Sequence, residues 1–248
     1  MARTKNMHLA TILAIAALIL SGCGERGLED FLNIGSSSSE AGSSSSSDAS
    51  SSPGNLSSSS GSTNGSQNCT TEKVPASAIP ENIRVKFEDL IPIYSGNMPP
   101  DISGQYRATD VTLIGSSISG EEYAAIGYPW SDIYLAFIKE ANGKLSYQEI
   151  AGGFQTGNDG TKMDITVVGC NNDFTAYFIA NGTEEGISIK ASTIISGTLE
   201  STGIGDFYYA SIMLSKGPDP SNKLVPVNTY RVFTDADGLT EKHNWLTN

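Results

Sequence analysis

The sequence predicts an all-β domain, an antiparallel meander closing into an up-and-down β-barrel. From Arg84 onward, short apolar or alternating runs recur about every ten residues, the spacing of hairpin-linked strands. Asn142-Gly143, Asn158-Asp159-Gly160, Asn171-Asn172 and Asn181-Gly182 punctuate them, and Asn and Gly tolerate the positive φ of tight turns. Nine or ten such strands form either a closed barrel or a two-sheet sandwich. The barrel is favoured because sequential hairpins close naturally and leave no edge.

Taken in order, the expected strands are Tyr106 to Ile114, Ile133 to Ile138, Leu145 to Ile150, Met163 to Val168 and Phe174 to Ala180. Ile187 to Ser192, Ile194 to Leu199, Phe207 to Leu214 and Val227 to Thr234 follow. Ile187, Ile189 and Ala191 alternate with Ser188, Lys190 and Ser192, giving one buried and one wet face. Phe207 to Leu214 is apolar on both faces, so it must be covered twice, inside a ligand-holding barrel or beneath a packed helix or loop. One or two helical turns are expected at Ser119 to Ile126, with Ser119 as cap and Glu121 and Glu122 complementing the positive end.

The first third of the chain cannot build a core. Arg3 and Lys5 precede an apolar run from Leu9 to Leu20 and then small residues, the layout of a secretory signal. That run is too short for the roughly 20 apolar residues of a membrane-spanning helix. Leu20-Ser21-Gly22-Cys23 resembles the lipobox of bacterial lipoproteins, which implies that Cys23 is lipidated and becomes the first mature residue. Two or more acyl chains, at about 0.8 kcal/mol per buried CH₂, hold a soluble domain on a bilayer. Gly24 after the cysteine, rather than Asp, implies by the same resemblance an outer membrane, on its periplasmic or cell-surface face. From Gly35 to Gln67 the chain is mostly serine and should be a disordered tether, spanning roughly 30 Å as a random coil. Before it, Leu28, Phe31, Leu32 and Ile34 fall at roughly helical spacing. The expected organisation is a signal peptide over 1–22, lipidated Cys23 with the tether over 23–68, and one all-β domain over 69–248.

Charge excludes one partner class. The net charge of −12, of which −10 falls from Cys69 onward, argues against nucleic acid, whose binding rests on Lys and Arg neutralising phosphates. Only His243 remains as a histidine after the signal segment, which removes Ser-His-Asp, Cys-His and histidine-zinc models. Gly115 to Gly120 lacks the spacing of a nucleophile elbow, and Gly203-Ile204-Gly205 is too short to cradle a phosphate. Asp235-Ala236-Asp237-Gly238 resembles the start of a calcium loop, but Glu241 is off the EF-hand spacing and a plain Asp-Gly turn is expected. No catalytic residue, cofactor or metal is therefore expected. Cys69 and Cys170, both exported, form the expected disulfide.

Aromatics remain as binding candidates: Tyr128, Trp130, Tyr208 and Tyr209, with Tyr128-Pro129-Trp130 expected to be rigid and outward-facing. Ile102-Ser103-Gly104-Gln105-Tyr106 is similar to the Gly-x-Trp opening of lipocalins, Tyr106 standing in the tryptophan position. The stretch from Pro99 to Trp245, with Asp173 to Phe178 and Arg231-Val232-Phe233, resembles lipoproteins of gut bacteria of no assigned activity. The expectation is a membrane-anchored, non-enzymatic protein whose barrel binds a small apolar or amphipathic ligand. A carbohydrate-binding or adhesion sandwich is second, and a carboxylate-dependent hydrolase third.

Overall fold

In the computed structural model, residues 69–121, 126–151, 154–156 and 163–246 are described. Cys23 and the segments expected as signal peptide and tether lie outside them. The described chain begins with a strap over residues 69–96 that contains helix α1 (Glu81–Glu88), then short β1 (Asn97–Met98). The wall follows: β2 (Gly104–Ala108), β3 (Val111–Ser116), β4 (Ile133–Lys139), β5 (Leu145–Ala151), β6 (Phe154–Thr156), β7 (Met163–Cys170) and β8 (Asp173–Glu184). It ends with β9 (Ile187–Leu199), β10 (Gly203–Lys216), β11 (Tyr230–Asp235) and β12 (Leu239–Lys242).

Eight strands close a ring in the order β7-β8-β9-β10-β12-β2-β4-β5, and β5 returns to β7 through Tyr147 opposite Met163. Every neighbouring pair in that ring is antiparallel. The fold is thus the up-and-down barrel, and the closure overturns the two-sheet alternative. β3 continues β2, and β11 runs into β12, so β3–β11 pairing heightens the wall beside β10.

Four expectations change. Tyr106 to Ile114 is not one strand: it breaks at Thr109-Asp110, where Asp110 takes φ 50° and the wall turns a corner. Ile187–Leu199 is one continuous strand rather than two, and strand pairing after the 217–229 loop starts at Tyr230, not Val227. Between Arg84 and Phe87 the chain is helical, because Pro80 and Glu81 start a turn that the Ile83 and Phe87 spacing buries on one side. The expected turns at Ser119 to Ile126 lie partly outside the described residues, with Glu121 in a turn.

The wall serves two cores. Inside, Tyr106, Phe137, Tyr147, Phe174, Phe207, Tyr209 and Phe233 are all buried and fill the lower barrel. Outside, Val168, Ile194, Ala210, Ile212, Tyr230 and Val232 are covered by Val74, Ile79, Ile83, Phe87 and Ile91 of the strap. The two-sided apolar strand at Phe207 to Leu214 is therefore covered on both faces: β10 presents Tyr209 inward and Ala210 and Ile212 to the strap. Phe87 meets the Tyr230 ring edge-on at 5.4 Å. The strap is pinned at one end by a Cys69–Cys170 disulfide, with Cα atoms 6.2 Å apart, and further along by Ser196 Oγ donating to the Pro92 carbonyl. Gly96 has to be glycine where the strap meets β7, since a Cβ there would lie 2.4 Å from the Gly169 carbonyl oxygen.

Candidate functional site at the loop-bearing pole

The barrel has two different ends. Near Cys170 lie the tight 140–144, 171–172 and 200–202 connections and the C-terminal segment, whose Trp245 indole N–H donates to the Leu135 carbonyl at 3.0 Å. At the opposite pole lie the 217–229 loop and the described parts of the connection between β3 and β4, residues 117–121 and 126–132. A 12-residue strand such as β8 is about 40 Å long.

Alternation on β5 sets the first feature. Leu145, Tyr147 and Glu149 share the inward face, and Glu149 is 1% exposed among aromatics, two residues from the strand's loop-side end. The Tyr147 hydroxyl donates to Glu149 Oε2, and the Tyr209 hydroxyl, from across the barrel, donates at 3.1 Å to Oε1. Burial pushes the Glu149 carboxyl up to about 7, and the two phenolic donors only partly offset it. Burial and the adjoining Glu149 also raise both tyrosines well above their usual value, so they remain hydroxyls that donate. Glu149 can therefore hold or release a proton near neutral pH.

One layer nearer the loops, the register lines up Thr193, Ser211, Arg231 and Ser116 across β9, β10, β11 and β3. Arg231 is 2% exposed and takes a two-point grip on Glu121: Nε to Oε2 at 2.8 Å and Nη2 to Oε1 at 2.5 Å. Ser116 Oγ donates to the same Glu121 carboxylate at 3.0 Å. Burial pushes the Glu121 carboxyl up, but Arg231 and Ser116 more than reverse this and hold it below the ordinary value. This polar layer separates the aromatic lower core from a second apolar group, Ile118, Ile189, Ala191, Met213, Leu224 and Val225, under the loops.

The four aromatic candidates do not form one site. Tyr128 is 45% exposed in the loop before β4, as the outward-facing reading expects. Trp130 does not follow it: its indole packs on the core, edge-on to Phe233 at 5.0 Å, because Pro129 bridges to Thr112 and draws the segment onto β3. Tyr208 points outward and packs beside the strap, while Tyr209 points inward to Glu149. Glu149 and the Arg231–Glu121 pair are not among the sequence candidates. A signal for Glu149 existed, since the alternation of the Leu145 to Ile150 strand puts an acid on the same face as Leu145 and Tyr147. His243 sits at the other pole, its ring 5.8 Å from that of Tyr134.

Compared with protein-family models, with curated proteins and with solved structures, the chain matches none.

Proposed function

We propose that this chain is a lipid-anchored, non-enzymatic binding protein that takes a small amphipathic ligand at the loop-bearing pole of its barrel. The observation that carries this reading is polarity between the ends. The described chain enters beside Cys170 at the tight-turn pole, whereas the long loops and the Glu149 and Arg231 layers lie toward the other. Barrel mouths are a common place for small-ligand sites, in which a few placed polar groups among apolar walls fix orientation. Here Glu149, the two tyrosine hydroxyls and the Thr193 to Ser116 row would orient a polar head, and the Ile118, Met213 and Leu224 group would meet an apolar part. The aromatic filling below Glu149 favours a short ligand near the mouth over one threading the barrel.

Native mass spectrometry of the detergent-extracted full chain tests both halves. The expected result is a polypeptide that begins at Cys23 and carries diacylglyceryl and acyl groups, together with a retained small molecule that Glu149→Gln weakens. A polypeptide starting at Met1 without acyl mass overturns the anchor. No retained mass, and no saturable uptake of a fluorescent amphiphile, overturns the ligand.

A further inference from the structure

The junction of β11 and β12 holds a carboxylate whose surroundings are incomplete. Asp235 ends β11 with its side chain turned into the wall, 3% exposed. Its Oδ2 accepts from the Thr240 hydroxyl at 2.8 Å and from the Thr109 N–H at 3.2 Å. Its Oδ1 is equally buried and meets no hydrogen-bond donor among the described residues. Beside it stands a second carboxylate, Asp237, which accepts from the Thr109 hydroxyl at 3.2 Å and the Leu239 N–H at 3.0 Å and is open to solvent. Gly238 at φ 86° closes the turn, and the Asp110 carbonyl approaches from β3's side by accepting the Ala236 N–H.

A buried anionic oxygen without a donor, next to a second anion, is costly. We propose that this corner binds a hard divalent cation of calcium's class, with Asp235 Oδ1 and the Asp237 carboxylate as its protein anchors and carbonyl oxygen and water completing the shell. The oxygens that the turn offers, two carboxylates and the Asp110 carbonyl, are hard, and exposed Asp237 gives a hydrated ion a way in. Calcium accepts such irregular sets, whereas magnesium demands near-octahedral geometry and yields its water reluctantly. Among the described residues no group of three His, Cys, Asp or Glu gathers as metal ligands, so the affinity belongs to the weak extracellular class, on the order of 10⁻³ M. Such a site would brace the corner where both long strands bend, independently of any ligand at the pole.

The test is the melting temperature of the full chain at pH 7.5 in chelator, in about 10 mM calcium chloride and in the same concentration of magnesium chloride. At ten times the dissociation constant calcium should raise the melting temperature by about 3–6 °C and magnesium by much less. Asp237→Asn, at an exposed position, should fold normally and lose the calcium increment. An equal rise with magnesium, or an undiminished rise in Asp237→Asn, reduces the effect to general screening and overturns the proposal. Indifference to calcium combined with a higher melting temperature in Asp235→Asn assigns the gap to a shared proton and overturns it as well.

Discussion

Tyr208 and Tyr209 are chain neighbours of the same chemistry, yet one lies against the strap outside the barrel and the other against Glu149 inside it. The same division runs along the whole of β10. Its outer face packs on hydrocarbon and the helix α1 aromatic, with the paired hydroxyls of Thr175 and Ser196 tying down the strap nearby. On its inner side lie Tyr209 and, across the barrel and the pole, the buried acids Glu149 and Glu121 and the cation Arg231. The outer covering is a stability device, and the inner layers are where charge and proton affinity are adjusted.

Breaking the outer covering should have the largest effect. Replacing Cys69 and Cys170 together by Ser removes a cross-link across 101 residues, worth up to about 5 kcal/mol in the chain-entropy model, and urea denaturation should register most of it. Limited proteolysis should then cut within the strap while the barrel stays whole; a strap as resistant as before would show that packing alone holds it. Phe87→Ala opens a hole between α1 and Tyr230 and should cost about 3–4 kcal/mol by the same denaturation measurement.

Inside, the sharpest test is an asymmetry. Glu121→Gln leaves Arg231 fixed on a strand and deeply buried without its carboxylate, at about 3 kcal/mol. Arg231→Met should cost less, because Glu121 sits in a turn from which its side chain can reach water. Equal losses would mean that the loop holds Glu121 as rigidly as the strand holds Arg231.

Glu149 supplies the pH dependence. Its folded pKa is raised, to about 7, above the ordinary 4.5, so between these values the native state binds more protons than the unfolded one. Its contribution is therefore fully present below about pH 4.5 and is lost as pH rises through about 7, a change of about 3 kcal/mol. Glu149→Gln, which mimics the protonated acid, should flatten that part of the stability profile; an unchanged slope would place the titration elsewhere. The smallest effect is the contrast that separates the two faces: Tyr209→Phe should cost about 1.5 kcal/mol by removing a buried donor to Glu149, and Tyr208→Phe under about 0.5 kcal/mol.

The meander was legible because turn residues sit between runs whose apolar positions alternate. Thr193 shows where that reading fails: a hydroxyl on the inner face of β9, beside Tyr209, interrupts an apolar pattern and looks like a strand break. Helix α1 was hidden for the opposite reason. Ile83, Val85 and Phe87 alternate with period two and mimic a strand, although Val85 is 74% exposed and only Ile83 and Phe87 are buried. The disposition of the aromatics could not be read at all from neighbours in sequence, since it depends on Pro129 bridging to Thr112 and on the strap covering one face of β10. Nor does the sequence reveal that Glu121 reaches Arg231, a contact across 110 residues.

The ring is sealed by its two most distant pieces. β12 pairs with β2, and Trp245 and Gln105, 140 residues apart, are joined by a hydrogen bond between the Trp245 N–H and the Gln105 side chain. A chain made from its N-terminus can form the local hairpins early, but it remains an open sheet with two unpaired edges until β12 has been made. Closure is then a long-range event, and a nascent chain cannot complete the barrel before β12 is available to pair with β2. Until β12 has emerged the nascent wall thus stays open-edged, so the order in which the strands are made sets the moment of closure.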